Sequence, residues 1–405
     1  MIVRRIKASE LWRTSEMSSV AYEFPVREPE DKDAWLQEKK TNPNGRSDLY
    51  WDMRWAAFAD DDTTMMSTMA VMPFKACFDG HQVRMDGIGG VASFPQYRNS
   101  GCVRACFEAA LPVMYEEGAV LSYLHPFRNE FYRKFGYEIA GMGNWWTVDL
   151  AKVPRKKNGG SCVLLESGMD LREEMKQIAG AWEKRYNCMV ICEDVEYAWS
   201  QKANPFKDKM YTYLYRDAQG EPKGYMSFRI KEDDTVECRR FVCADREGFE
   251  GLISLLASTA ADHSHASFLL PEDIDLDGIL PEWQKETVRC ERVTKGMARV
   301  INVEAVLRLA KMRGEGSLVI EVSDPQIAQN NGRFAVSFAK GQENHVERTD
   351  ADADISLTIQ DFTRLIIGKH DVQDFVWLPQ VQLHCDSEKA AKVFYRKPVY
   401  LCQGF

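Results

Sequence analysis

The sequence predicts an α/β protein with an additional α+β part, organised as three domains. A chain of 405 residues exceeds what one hydrophobic core usually organises. Strand-like and helical patterns alternate over the first two thirds, whereas short strands and short helices follow from about residue 292. The polar, basic stretch at 154–160 is typical of a linker. We therefore expect domains at residues 1–153, 154–291 and 292–405.

Composition excludes several classes of protein. Hydrophobic residues make up 45% of the chain and charged residues 28%, as in globular proteins. The net charge of −9 argues against a nucleic-acid partner. The 11 cysteines include no CxxC pair, so we expect reduced thiols. Because the start lacks an apolar leader and no run approaches the roughly 18 apolar residues of a membrane helix, we expect a cytoplasmic protein without a membrane partner.

Local patterns in the first domain predict antiparallel strands that lead into a helix. The strand-like runs Thr64–Pro73 and Gln82–Phe94 flank Asp79-Gly80, a hairpin turn signal. Across Gly101–Gly118 the apolar side chains recur at helical spacing along one face. The short apolar run Val120–Leu124 predicts a buried strand. A strand–helix–strand unit is therefore expected here.

The later domains show similar local patterns. In the second domain we expect helical structure around 170–203 and through 247–263. The strands expected there are Met210–Tyr215, Gly224–Ile230 and Val236–Cys243. The strands expected in the third domain are Gly296–Val303, Gly316–Val322, Arg333–Ala339 and Ile355–Ile359.

The connection between the predicted strand and helix of the first domain has the layout of an anion site. A strand that runs into a helix N-terminus presents backbone N–H groups and the positive end of the helix dipole. Gly101 lets a phosphate approach the backbone, and Arg98 adds a cation. The expected cofactor-binding residues are Val91, Ala92, Ser93, Arg98, Asn99, Ser100, Gly101, Cys102 and Val103. The alternative is an ordinary β-to-α connection in an unrelated α/β domain.

This connection resembles the pyrophosphate-binding motif of the GNAT acetyltransferases. The pattern Arg98-x-x-Gly101-x-Val103 departs from the family only at its last position, where Gly or Ala is usual. The stretch Asn129–Tyr137 resembles the second family hallmark, a tyrosine followed by a glycine–aromatic pair. The resemblance implies that acetyl-CoA is the cosubstrate and that Asn129 also contacts it. A thiolate leaving group benefits from a proton donor, and Tyr132 is the expected general acid; the alternative is a core aromatic.

The whole chain resembles the enhanced-intracellular-survival type of GNAT acetyltransferase. That type has a GNAT domain, a second degenerate GNAT-like domain and a C-terminal sterol-carrier-protein-like domain. The stretch Ala351–Gly368 is similar to the sterol-carrier signature. In that family a terminal phenylalanine carboxylate serves as the base, and the chain ends at Phe405. The alternative for Phe405 is an ordinary docked terminus. The resemblance further implies a hexamer in which the sterol-carrier-like domain is a scaffold.

The acceptor is expected to be an amine. Relatives of this architecture acetylate aminoglycosides, so the resemblance implies a polycationic small molecule as partner. We expect the stretches Tyr22–Val26 and Asp33–Leu36 to line its pocket, with Phe24, Trp35 and Phe94 as aromatic candidates; each is alternatively a core residue. Protein lysines or polyamines are rival acceptors. A non-catalytic acyl-CoA or lipid-binding protein is the rival from another functional class.

No metal is expected. The stretch Asp273–Gly278 imitates the start of a calcium loop, but Gln284 stands where a bidentate glutamate is required. His263 and His265 lack a third ligand at zinc-like spacing.

Overall fold

The structure, a computed structural model, describes residues 1–41, 51–155, 159–193, 197, 204–280, 283–378 and 380–401. The chain forms two compact units. The first contains Met1–Ala140 and Gly296–Lys397, and the second contains Gly141–Lys295 and Pro398–Leu401. No helix within the described ranges is long and apolar enough to cross a membrane.

Strands account for most of the regular structure. The strands are β1 (Ile2–Arg5), β2 (Arg54–Phe58), β3 (Met65–Phe78), β4 (His81–Ser93), β5 (Leu121–Leu124), β6 (Glu138–Asp149), β7 (Ser161–Leu164), β8 (Val190–Ile191), β9 (Tyr211–Arg216), β10 (Pro222–Ile230), β11 (Val236–Cys243), β12 (His265–Pro271), β13 (Val288–Val300), β14 (Gly316–Ser323), β15 (Gly332–Phe338), β16 (His345–Arg348), β17 (Ile355–Thr358) and β18 (Gln382–Leu383).

The α-helices are shorter and fewer in the described ranges. They are α1 (Leu11–Tyr22), α2 (Lys32–Thr41), α3 (Cys102–Glu116), α4 (Asn129–Arg133), α5 (Arg172–Arg185), α6 (Pro205–Asp208), α7 (Arg246–Ser258), α8 (Val303–Leu309), α9 (Ile359–Ile366) and α10 (Ser387–Ala391). The predicted fold class, mixed α/β domains followed by a small α+β domain, is confirmed.

The first unit contains a mixed sheet. Its strands lie in the order β1, β2, β3, β4, β5 and the end of β13, and only β4 and β5 run parallel. The hairpin predicted around Asp79-Gly80 forms from β3 and β4. α3 connects β4 to β5 and buries the predicted apolar stripe, including Cys106, Phe107 and Leu111. The residues around 64–124 therefore follow their local patterns.

The same unit also carries a five-stranded sheet from the C-terminal part of the chain. Its order is β16, β15, β14, β17 and β18, and β14 and β17 run parallel. α9 follows β17 directly, with the Thr358 side chain accepting a hydrogen bond from the Asp361 amide at its start. This strand-to-helix step occupies the stretch Ala351–Gly368 that the sequence singled out.

The second unit repeats the topology of the first sheet. Its strands lie in the order β6, β12, β11, β10, β9 and β7, with β11 and β12 parallel and connected through α7. Part of β6, Gly143–Asp149, pairs with β12, just as the end of β13 pairs with β5 in the first unit. The helical structure expected around 170–203 is interrupted in the described part of that range, because α5 ends at Arg185, Tyr186 is extended and β8 follows, whereas Tyr197 is helical again. The rest of 194–203 lies outside the described residues.

Candidate active site

A bulge near the end of β4 shapes the site. The strand register pairs Thr68 with Ala92 and Ala70 with Gly89, so that Gly90 and Val91 together face the single residue Met69. Gly90 has φ +55°, and a Cβ at this position would lie 3.2 Å from Arg54 Nη1. Only glycine meets both conditions without strain.

Beyond this point β4 separates from its parallel neighbour. β4 pairs with β5 over Met85–Ile88, whereas the residues that follow pair as a strand with β3 alone among the described strands. One edge of β4 from Gly89 to Ser93 is therefore left with backbone groups that a bound molecule can use. The first three expected cofactor residues, Val91, Ala92 and Ser93, lie on this edge segment.

The connection from β4 to α3 ends in an open helix N-terminus. Phe94–Gly101 contain one short 3-10 turn, and the backbone turns through Asn99 at φ +63° and Gly101 at φ +84°. Gly101 contributes no capping side chain, and a Cβ built there would meet nothing within 4 Å. The first amides of α3 are thus available to an anion.

The polar and basic side chains beside this helix N-terminus face solvent. Arg98, Asn99 and Ser100 are exposed, and Ser100 donates its hydroxyl to the Tyr97 carbonyl at 2.6 Å. Arg104, in the first turn of α3, is also exposed. The sequence-based prediction did not include it, although it directly follows Val103 of the predicted motif. Cys102 is buried and Val103 is half-buried. Exposed arginines at a helix N-terminus suit phosphate groups.

Tyr132 lies on α4 inside an aromatic cluster. Its side chain is only 3% exposed, and its ring lies edge-on to Phe107 of α3 at 6.0 Å and to Phe131 at 5.1 Å. Burial raises the pKa of the Tyr132 hydroxyl, and the neighbouring Tyr22 and Tyr137 raise it further. No described residue accepts or donates a hydrogen bond at this hydroxyl. The group is therefore protonated at neutral pH and available as a donor.

Tyr22 brings α1 to the bulge. Its hydroxyl donates to the Val91 carbonyl at 2.9 Å. Although 52% of the residue is exposed, burial of the hydroxyl end raises the Tyr22 pKa, and the charge of Arg54 partly opposes this. Tyr22, Val91 and Tyr132 are thus neighbours. The sequence placed Tyr22 in a range expected to line the pocket, but it contained no signal for Arg54 or for the bulge beyond the pair Gly89-Gly90.

The remaining predicted residues are dispersed. Phe24 is 43% exposed just after α1. Trp35 lies edge-on to Trp12 at 5.7 Å, and Phe94 is buried beneath the Arg13 guanidinium at 4.3 Å; both pack in one apolar cluster around α1. Asn129 begins α4 and is half-buried. Phe405 lies outside the described residues.

The described residues contain no group of three or more histidine, cysteine, aspartate or glutamate side chains that could hold a metal ion.

Family models match three parts of the chain. Two GNAT acetyltransferase domain models match residues 3–140 and 195–300, and a sterol carrier protein domain model matches residues 303–402. The first match contains the bulge, the open N-terminus of α3 and Tyr132. The second contains β9 to β12 with α7.

Individual proteins show the same resemblance. The chain is 28% identical over 311 residues to the N-acetyltransferase Eis of Mycobacterium tuberculosis (strain ATCC 25177 / H37Ra), covering 70% of this chain and 71% of the relative. Among solved structures, a conserved protein from Enterococcus faecalis V583 superposes with a TM-score of 0.84 at 21% identity, covering 100% and 99% of the two chains. Eis1 from Mycobacterium abscessus superposes with a TM-score of 0.78 at 17% identity, covering 100% of each.

The two structural neighbours establish the fold over the full length, and the sequence relative and the domain models establish the kind of enzyme. The chain is therefore an N-acetyltransferase with two GNAT acetyltransferase domains and a sterol carrier protein domain at its C-terminal end, and it is similar to the Eis N-acetyltransferases.

Proposed function

We propose that the protein transfers the acetyl group of acetyl-CoA to an amine of a polycationic small molecule, of which aminoglycosides are the first class to test. The observation that carries this proposal is a protonated tyrosine next to the free edge of a bulged strand that leads into an open helix N-terminus. GNAT acetyltransferases use acetyl-CoA, and these features suit its thioester and its phosphates, respectively.

The cofactor contacts divide along the chain. The backbone of Val91, Ala92 and Ser93 would hold the pantetheine arm by strand-like hydrogen bonds on the free edge of β4. The amides from Arg98 to Val103, with the Arg98 side chain, would hold the pyrophosphate. Asn129, at the start of α4, would contact the cofactor beside Tyr132. No side chain in the α3 N-terminus competes with the phosphates for these amides.

The reaction requires two proton transfers, one from a general acid to the leaving sulfur and one from the attacking amine to a base. The amine nitrogen attacks the thioester carbon, a C–N bond forms, and the C–S bond breaks with its electron pair leaving on sulfur. Tyr132 donates a hydrogen bond to this sulfur as negative charge develops and then supplies the proton. The terminal carboxylate of Phe405 takes the proton that the amine loses. Because a carboxylate is a weak base in water, with an ordinary pKa of about 3.3–3.7, it would act from a desolvated position or through water.

A polycationic acceptor fits the charge of the segment after α1. Residues 23–37 contain five acidic and two basic side chains, a net charge of −3. Lys32 pairs with Glu28 at 2.6 Å, whereas Glu23, Asp31 and Asp33 form no ion pair with a described residue. This segment also carries Phe24 and Trp35, and Phe94 packs beside Trp35, so these three residues are the proposed aromatic contacts of the acceptor.

For the domain boundaries, the oligomeric state, the compartment and the partners, we propose what the sequence predicts. We place domain boundaries near residues 153/154 and 291/292, and we propose a cytoplasmic hexamer without nucleic-acid or membrane partners. Size-exclusion chromatography with light scattering tests the oligomer.

The experiment is thiol release from acetyl-CoA with a panel of aminoglycosides, polyamines and lysine peptides. The wild type is compared with Tyr132→Phe and with Tyr215→Phe, which removes a buried tyrosine hydroxyl from the second GNAT domain. We expect aminoglycoside-dependent release, a loss of kcat on the order of 10²-fold or more in Tyr132→Phe, and wild-type kcat in Tyr215→Phe. Thiol release that occurs only with peptides or polyamines would contradict aminoglycosides as the acceptor class but would still support acetyl transfer from acetyl-CoA.

The base is tested separately. Deleting Phe405 and appending one glycine after it both displace the carboxylate, but the second variant keeps the aromatic ring. We expect kcat to fall in both variants. Activity that survives the added glycine and falls on deletion would assign the role to the ring and contradict the carboxylate as the base.

A further inference from the structure

The turn after Tyr132 is held from the C-terminal part of the chain. Three consecutive main-chain carbonyls accept hydrogen bonds from side chains far along the sequence. Gln360 Nε2 donates to the Arg133 carbonyl at 2.9 Å, Gln326 Nε2 to the Lys134 carbonyl at 3.4 Å, and the Arg299 guanidinium to the Phe135 carbonyl. Gln326 and Gln360 belong to the sterol carrier protein domain, and Arg299 directly precedes it.

Carbonyls at the end of a helix have no partner within that helix. α4 has only five residues, so its own hydrogen bonds cannot define its orientation well. The Arg133 carbonyl also accepts a hydrogen bond from the Gly136 amide at 3.0 Å, so the donors from outside reinforce this local turn and hold it against the C-terminal part of the chain. Since Tyr132 is the second-last residue of α4, its side chain depends on this anchoring.

The strongest of these donors is built into a buried network. Arg299 and Asp324 are both fully buried and pair at 2.5 Å. Asp324 also accepts from Asn330 Nδ2 at 2.9 Å, and this amide donates to the Ile301 carbonyl as well. A buried charge with this many partners has one well-defined position. The Phe135 carbonyl is thus tied to a rigid point.

Gly136 makes the approach possible. It has φ +83°, and a Cβ there would lie 1.9 Å from Arg299 Nη1 and 3.0 Å from Ile359 Cγ2. The glycine of the second GNAT hallmark therefore serves a contact with Arg299 in addition to its turn geometry. After this glycine, Tyr137 enters the sheet core, where its hydroxyl lies 2.7 Å from Ser122 Oγ.

We propose that Arg299 and Gln360 are positioning residues for Tyr132, and that the sterol carrier protein domain contributes to acetyl transfer by fixing the end of α4. The proposal rests on Tyr132 being the general acid. Neither residue touches the reacting atoms; both act through the backbone of Arg133 to Phe135. Loss of one anchor lets α4 rotate or fray, so that the Tyr132 hydroxyl meets the leaving sulfur less often, while cofactor contacts on β4 and α3 persist.

Gln360→Met is the most informative variant. It keeps the size of a half-buried side chain and removes one hydrogen-bond donor, whereas Arg299→Met leaves Asp324 as a buried unpaired charge and endangers folding. Gln382→Met, an exposed glutamine of the same domain, is the matched control. We expect kcat of Gln360→Met to fall about fivefold or more, the KM for acetyl-CoA to stay within about twofold, and the control to match wild type.

A double-mutant cycle separates positioning from general stability. In a Tyr132→Phe background the Gln360→Met change should have no further effect on kcat, because its target hydroxyl is already gone. If Gln360→Met lowers kcat by the same factor in the Tyr132→Phe background as in the wild type, or if Gln360→Met alone leaves kcat unchanged, the proposal is overturned. Wild-type kcat in Tyr132→Phe alone would instead contradict the proposed general acid, so the two failures are distinguishable. Thermal unfolding of every variant verifies that the compared proteins are folded.

Discussion

The two GNAT domains share a topology, but the N-terminus of α3 in the first domain has no side-chain cap, whereas that of the equivalent helix α7 in the second domain has one. In the first domain eight residues separate β4 from α3, and Gly101 leaves the first amides of α3 without a side-chain partner. In the second domain only two residues separate β11 from α7, and the Asp245 carboxylate accepts a hydrogen bond from the Gly248 amide at 2.9 Å. A helix N-terminus capped by its own carboxylate repels a phosphate.

The bulges differ in the same sense. The β3–β4 pair of the first sheet and the β10–β11 pair of the second each contain a bulge, since Ser227 and Phe228 of β10 face Arg240 and Cys238 with Arg239 as the extra residue. Of these two bulges, the one in β4 uses a glycine with positive φ, Gly90, and the one in β11 does not. The fold can therefore persist while the anion site is lost, because a short connection and one capping aspartate stabilise the helix without a ligand.

Gly101→Asp should have the largest effect on this contrast. It introduces into the first domain the negative cap that the second domain has, and the charge would face the cofactor phosphates. We expect the KM for acetyl-CoA to rise about tenfold or more relative to Gly101→Asn, which has the same positive-φ requirement without the charge. Equal KM values for the two variants would show that the α3 N-terminus does not bind phosphate. Calorimetry with CoA provides an independent affinity.

Gly90→Ala tests the bulge. The alanine Cβ would be placed at positive φ beside Arg54, so we expect a stability loss of about 1–2 kcal/mol and a decrease in kcat/KM. Arg239→Ala, at the bulge of the second domain, removes an ion pair with Glu237 and should leave kcat/KM at the wild-type value. Urea unfolding measures the first quantity and thiol release the second. A catalytic loss in Arg239→Ala would contradict the assignment of catalysis to the first domain.

Asp245→Ala should affect stability alone. Loss of the α7 cap costs about 1 kcal/mol in the free energy of unfolding, because the Gly248 amide loses its partner. The KM for acetyl-CoA should not change. A new CoA site, detected as a second binding event in calorimetry, would mean that the cap alone had kept the second domain from binding the cofactor.

The pH dependence should show the smallest change. Tyr132 acts in its protonated form, and its pKa is raised above the ordinary tyrosine value of 10.0. The protonated fraction therefore stays near one between pH 7 and about pH 10 and falls only above that. The ratio of wild-type kcat to Tyr132→Phe kcat should be constant over this range. A ratio that falls with a midpoint below pH 9 would contradict a buried Tyr132 hydroxyl whose pKa is raised.

A raised pKa by itself does not identify the active tyrosine. Burial also raises the pKa of Tyr215 in the second domain, to about 12. What distinguishes Tyr132 is its place beside Tyr22 and Val91, at the free edge of β4. Sequence reasoning found Tyr132 through the family motif, but it could not find Arg54 or Tyr22's bond to Val91, because these depend on which strands become neighbours.

By itself, the sequence determined the β3–β4 hairpin, the amphipathic α3 and the position of the strand-to-helix connection, since periodicity and turn residues act over a few neighbouring positions. It also determined the order of the domains through their family motifs. Only the tertiary structure decided the bulge at Gly90, the pairing of β13 with β5 and the anchoring of α4 by Arg299 and Gln360. These features join residues 20 to more than 200 positions apart, and no local preference specifies such contacts; they form because burying the polar groups of both partners requires them.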